Sequence, residues 1–247
     1  MTTQRLLDIF TLMERLGRES SNGIELCGVA AEFMSLDGAG IALVHDGGEL
    51  SSLCTSNETA KALMELELTL GEGPTVDAGR GDAVAAANLI EAGASHWNLY
   101  RPEALALGVR AVFGYPVRLG AVHFGALNLF RCSPGPLDTD QATDAYLMAS
   151  VIGRAILTYQ AGGSADRLVG ELNGSSMLDF RIHQAAGMLA VQGSMSVRDA
   201  LVSLRAHAFG IGCPLSELAD RVVTRSTRYA PETGKWLLEP ENSRDPQ

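Results

Sequence analysis

The chain lacks what several functions require. No apolar run reaches the roughly 18 residues that a membrane span needs. The opening MTTQRLLDIF has no basic stretch followed by an apolar one, so no secretory leader is expected. Cysteine is scarce: Cys27, Cys54, Cys132 and Cys213 are scattered and form no CxxC pair. Reduced thiols in a cytoplasmic protein are the expectation. His45, His96, His123, His183 and His207 show no metal-ligand spacing. No Ser-His-Asp arrangement, paired carboxylate motif or phosphate-cradling GxxxxGK is legible, so the chain is not read as an enzyme. The cofactor and the ligand-binding residues of the N-terminal part are unknown from these residues.

Positive charge is also short, with a net of -10. The deficit is not spread evenly. Residues 1–164 hold 10 basic and 19 acidic residues, whereas 165–230 hold 7 and 6. Binding of nucleic acid through bulk charge is therefore not predicted, and any such binding must use a small local patch.

What is present divides the chain into parts. Leu6, Ile9, Phe10, Met13 and Leu16 recur at helical spacing over 6–17, and a second helix is expected over 24–34. GAGIALVHDGGELSSLCTS reads as a hairpin around Asp46-Gly47-Gly48. NETAKALMELELTL reads as a helix running into an extended piece, and GEGPTVDAGRGDAVAAANL as a loop with a short helix. VRAVFGYPVRLGAVHFGALNLF reads as two strands around Leu119-Gly120. Asp138 or Thr139 caps a helix over 140–159. AGGSAD at 161–166 is a joint by composition, followed by a short helical piece near 166–172.

Beyond it, Ile182, Ala185, Ala186 and Leu189 fall on one helical face. Gly193 fits that helix's end, and Ser196 with Asp199 resembles a capping box for the next. Val197, Ala200, Leu201, Leu204 and Ala208 face inward there. Pro214 suits a first helical position, and Leu215, Leu218, Ala219 and Val222 repeat the stripe. Three short helices with one apolar face each must pack together. Arg198 and Arg205 share a face; Arg221, Arg225 and Arg228 form a basic stripe if their helix runs that far; Arg181 and Gln184 point away from the apolar stripe. Such groups suit phosphates and unpaired bases. Solvated arginines, some paired with Asp199 or Asp220, are the competing reading. Phe209 and Tyr229 are the rings available for stacking. Trp97 and Tyr100, with His96, lie where an N-terminal pocket would be covered, although Trp97 reads first as core.

Two resemblances add to this. Arg181-Ile182, Gln184-Ala185, Gly187-Met188-Leu189, Asp199-Ala200, Leu204-Arg205, Ala208 and Leu215 through Leu218-Ala219 resemble the ANTAR domain, an RNA-binding module of transcription antitermination. Gly71-Glu72-Gly73-Pro74 with Asp77-Ala78, Gly108-Val109-Arg110, Pro116-Val117, Gly125 through Phe130 and Pro134 to Asp138 resemble a GAF domain. Two positions depart from the patterns: Ala186 stands where ANTAR domains commonly have Lys, and Thr75 where related GAF domains often have Cys.

The resemblances imply an α+β GAF-like sensor over 1–161, with a central antiparallel sheet flanked by helices. A linker follows over 162–176. An all-α three-helix ANTAR bundle spans 177–229, and a flexible tail 230–247. They imply a signal-responsive antiterminator. Its sensor would answer a small molecule or a protein, with no membrane association. Homodimers would bind an RNA leader of two hairpins through Arg181, Gln184, Arg198, Arg205, Arg221 and Arg225. A C-terminal module that has lost RNA binding and serves for dimerisation or protein docking is the alternative.

Overall fold

The computed structural model describes residues 2–19, 26–45, 49–91, 97–160, 181–230 and 235–238. The chain divides into two compact units, Met1–Ser176 and Met177–Gln247. The joint at 161–166 and the helical piece expected near 166–172 lie outside the described residues, as does His96.

The first unit is built on β1 (Gly38–Val44), β2 (Leu50–Thr55), β3 (Val84–Ala86), β4 (Ala111–Leu119) and β5 (Val122–Arg131). They form one sheet in the order β2-β1-β5-β4-β3, antiparallel at every pairing. Both faces are covered, so β4 is buried from Ala111 to Val117 and shows no polar alternation. On one face lie α1 (Thr2–Glu19), α2 (Leu26–Met34) and α6 (Thr139–Gln160), packed through Ile9, Val29, Ala30, Met148 and Ile152 onto Ile41, Phe113, Leu127 and Leu129. On the other lie α3 (Glu58–Leu70), α4 (Pro74–Arg80) and α5 (Tyr100–Ala106), with Leu63, Trp97, Tyr100, Val112 and Phe130 between. Gly114 of β4 permits the close approach of α4, because a Cβ there would overlap the carbonyl of Pro74.

Local chemistry sets the element ends. Asn57 caps α3, its side chain accepting from Ala60 N at 2.9 Å. Asp138 caps α6, accepting from Gln141 N at 2.8 Å. Arg5 of α1 grips Asp144 of α6 through two hydrogen bonds. The reading of α1 needs one correction: Phe10 is exposed, whereas Ile9 is fully buried. The extended piece expected at the end of NETAKALMELELTL is helical to Leu70, and β3 is a strand within the stretch read as a loop with a short helix. The expectation of four reduced thiols is also corrected. Cys27 of α2 and Cys54 of β2 are joined in a disulfide, because β1 and β2 carry Cys54 beneath the α2 helix. Cys132 and Cys213 are free.

The second unit has three helices: α7 over 181–193, α8 (Val197–Gly210) and α9 (Leu215–Val223). Ala185, Ala186, Leu189, Ala200, Leu201, Leu204, Ala208, Leu215, Leu218, Ala219 and Val222 form its core. Ser196 caps α8, accepting from Asp199 N at 3.1 Å and donating to Asp199 Oδ2 at 2.6 Å. Three local expectations shift. Ser194, not Gly193, takes the left-handed conformation that ends α7, with Met195 N bonded to the Ala190 carbonyl. Pro214 is the cap residue of α9, not its first helical residue, and Val197 is exposed.

The unit is not all-α. β6 (Thr227–Ala230) and β7 (Lys235–Leu238) pair antiparallel where a tail was expected from residue 230. Trp236 holds this hairpin to the bundle. Its ring stacks on His207 of α8 at 4.4 Å between centroids and meets Tyr229 edge-on at 5.7 Å. Burial against this contact pushes the His207 imidazole below its usual value.

Candidate functional site

The arginines expected to bind RNA occupy all three helices of the second unit. Arg181, in the first described turn of α7, pairs with Asp220 of α9 at 2.8 Å and so ties two helices together. Gln184 is exposed on α7, one turn further on. Arg198 is exposed in the first turn of α8, and Arg205 is half-buried two turns later. Arg221 forms an i,i+4 ion pair with Glu217 within α9.

Arg225 is exposed and lies beyond the helix. α9 ends at Val223, with Thr224 as its cap residue and Arg225 at φ 63. The stripe of Arg221, Arg225 and Arg228 therefore does not form, because Arg228 belongs to strand β6. Thr224 and Ser226 hydroxyls bond the last α9 carbonyls, those of Asp220 and Arg221, and fix this end. Two of the six candidates are thus held in ion pairs, one is half-buried, and Gln184, Arg198 and Arg225 stand in solvent.

Ala186 is fully buried between the helices. Phe209 is exposed at the end of α8, while Tyr229 is partly buried against Trp236.

Part of the surface is concave. Gly187, Met188, Val191 and Gln192 of α7, Val222 of α9, and Arg225, Thr227 and Arg228 beyond it line a groove of about 700 Å³. Only Arg225 of the six candidates reaches it.

In the first unit, sequence reasoning missed the most unusual polar group. Glu67 of α3 is fully buried. Its carboxylate accepts from Thr75 N at 2.6 Å, Thr75 Oγ1 at 2.8 Å, Val76 N at 3.4 Å and Asn128 Nδ2 at 2.6 Å. Burial pushes this carboxyl up to about 8, against the hydrogen bonds from Thr75 and Val76, which pull it down.

The GAF-like motif residues surround this group. Gly71 closes α3 at φ 68, and Gly73, at φ 136, leaves no room for a Cβ beside Glu67. Glu72 Oε1 accepts from Leu99 N at 2.6 Å and Tyr100 N at 2.8 Å, at the start of α5. Trp97 is core, as read, and its indole donates to Asp77 at 2.8 Å. Tyr100 Oη and Asn128 Oδ1 are buried without a hydrogen-bond partner among the described residues. Burial, with Glu67 nearby, pushes the Tyr100 phenol well above its usual value. The motif was legible, but its dependence on Glu67 was not.

No protein-family model matches this sequence, and no curated protein does. Similar solved structures include GAF domains. The GAF domain of a phosphoenolpyruvate-protein phosphotransferase from Coxiella burnetii is 18% identical; the match covers 64% of this chain and 96% of that one, with a TM-score of 0.48. A domain assigned to a two-component sensor histidine kinase protein of Sinorhizobium meliloti 1021 is 15% identical, with 60% and 93% covered and a TM-score of 0.46. The GAF domain of an Acinetobacter phosphoenolpyruvate-protein phosphotransferase is 14% identical, with 62% and 95% covered and a TM-score of 0.44. Among the described residues, no helix is long and apolar enough to cross a membrane.

Proposed function

We propose that this chain is a signal-responsive RNA-binding regulator, not an enzyme, acting in the cytoplasm by transcription antitermination. The N-terminal unit is a GAF-like sensor of a small molecule or a partner protein. The C-terminal unit is an ANTAR-like output module, to which a β-hairpin is added. Two protomers associate, and their paired modules bind two adjacent RNA hairpins so that a terminator does not form. Tethering two weak modules raises the effective concentration of the second binding event.

The observation that carries this reading is the division of labour in the C-terminal unit. Its small and apolar motif residues, Ala185, Leu189, Ala200, Leu204, Leu218 and Ala219, are spent on the core. Gln184, Arg198 and Arg225 remain in solvent, within the near-neutral stretch 165–230. The sensor reading is supported by the convergence of Thr75 and Asn128, from two separate motif segments, on Glu67.

A second reading is favoured by the exposed apolar side chains Val202, Phe209 and Ile211 on and after α8. There the unit is a docking or dimerisation bundle without RNA binding.

Single-round transcription separates the two. On a template whose two-hairpin leader overlaps a terminator, the full chain should raise readthrough, and Arg198→Ala with Arg225→Ala should remove the increase. Readthrough unchanged by the wild-type chain, across protein concentrations that saturate dimer formation, would leave the docking reading.

A further inference from the structure

Two residues lining the groove between α7, the end of α9 and β6 are not explained by internal packing. Gly187 lies in the middle of α7, where glycine weakens a helix relative to alanine. No neighbour requires it, since a Cβ at Gly187 would meet nothing within 4 Å. The bare backbone faces open space at the groove. Thr227 provides a separate indication. It is buried and lines the groove, and its Oγ1 has no hydrogen-bond partner among the described residues. A buried hydroxyl left unpaired is costly, and a bound ligand would satisfy it.

The remaining lining describes the ligand. Met188 and Val191 supply an apolar wall, and Val191 is 82% exposed. Gln192 Oε1 accepts from Tyr229 N at 3.4 Å, which fixes the amide and leaves its Nε2 as a donor. Arg225 stands at the rim in a left-handed conformation that side chains rarely adopt. The site therefore offers an apolar wall and exposed helix backbone for a flat body, a neutral donor and a hydroxyl for its edge, and a guanidinium for an anion.

We propose that the groove receives one unpaired nucleotide of a bound RNA. The base packs against Gly187, Met188 and Val191, where the thioether suits an aromatic face. Gln192 and Thr227 meet its edge, and Arg225 meets a phosphate. The inference rests on the RNA-binding reading and deepens it. It assigns recognition of an unpaired base to a site completed by Arg225 and Thr227, which lie beyond Ala219, where the family motif ends.

The test uses the full chain and three probes: an RNA of two hairpins with intact unpaired loops, the same RNA with an abasic residue scanned through each loop position, and adenosine monophosphate alone. Gly187→Leu fills the groove with a strong helix former, and Val191→Glu places a carboxylate at an exposed wall position. Gly187→Leu should keep or raise the unfolding midpoint of the C-terminal unit. Both variants should bind the intact RNA at least tenfold more weakly than wild type. At one loop position the abasic RNA should bind wild type weakly, and neither variant should weaken it further.

Wild-type affinity for intact RNA in both variants would overturn the inference and leave RNA binding standing. Equal losses on intact and abasic RNA would overturn base recognition in the groove. Binding of adenosine monophosphate without any RNA binding would assign the groove to a free nucleotide and overturn the RNA source. No binding of either RNA by wild type, with no nucleotide bound, would overturn the RNA-binding reading itself.

Discussion

Among single residues, Glu67 and Arg225 make the sharpest predictions. The Glu67 carboxyl has a folded value of about 8, above the 4.5 of the free group, because burial outweighs its hydrogen bonds. The folded protein thus holds this proton more tightly than the unfolded chain does. The resulting stability is fully present below about 4.5 and is lost as pH rises through about 8. Each tenfold difference in proton affinity is worth about 1.4 kcal/mol, so the slope should be measurable. Trp97 and Trp236 are the two tryptophans, one in each unit. In a Trp236→Phe background, denaturation followed by Trp97 emission should show stability of the first unit falling across this window, and Glu67→Gln should flatten the slope. Equal slopes in both proteins would contradict the assignment. Arg225→Gly separates charge from backbone. Glycine is at ease at φ 63, so the C-terminal unit should stay within about 1 kcal/mol of wild type, while RNA affinity falls. A loss of stability well beyond that would show that the Arg225 side chain holds the unit together. The motif glycines and Asn128 were legible as a pattern, and Thr75 as a departure from it. Glu67 was not, because in a helix carrying several glutamates nothing in the sequence says which one points into the sheet.

Among elements, the helices and the long strands were legible because their apolar residues recur at regular spacing. β3 was not, since its three residues lie in a run of alanines that offers no strand signal. The β6–β7 hairpin was passed over although signals existed. Pro231-Glu-Thr-Gly234 is turn-rich and separates two short runs with Tyr229 and Trp236. Its docking should be tested by Trp236→Ala, which removes the stack on His207 and the edge contact with Tyr229. The C-terminal unit should lose roughly 1–3 kcal/mol in chemical denaturation. No loss would mean that the hairpin does not support the bundle. The disulfide between α2 and β2 could not be read from a spacing of 27 residues, since only the sheet brings the two cysteines together. Cys27→Ala with Cys54→Ala should destabilise the first unit by about 2–4 kcal/mol. Dithiothreitol should shift wild type by a similar amount and leave the double variant unmoved. A wild-type protein indifferent to the reductant would contradict the bond in solution.

Across the whole molecule, acidity and function divide along the same line. The net negative charge lies in the first 164 positions, where basic residues are sparse, and the near-neutral remainder carries the exposed Arg198 and Arg225. Few cations are free to meet phosphate, so binding should depend on specific contacts and show a shallow salt slope. The decisive measurement is the affinity of the full chain for an RNA of two adjacent hairpins, against a single hairpin, over a series of salt concentrations. The reading proposed here predicts preference for the paired hairpins at physiological salt and a modest slope that falls by about one in Arg198→Ala. Equal binding of both RNAs with a steep slope, or no binding at physiological salt, would contradict it.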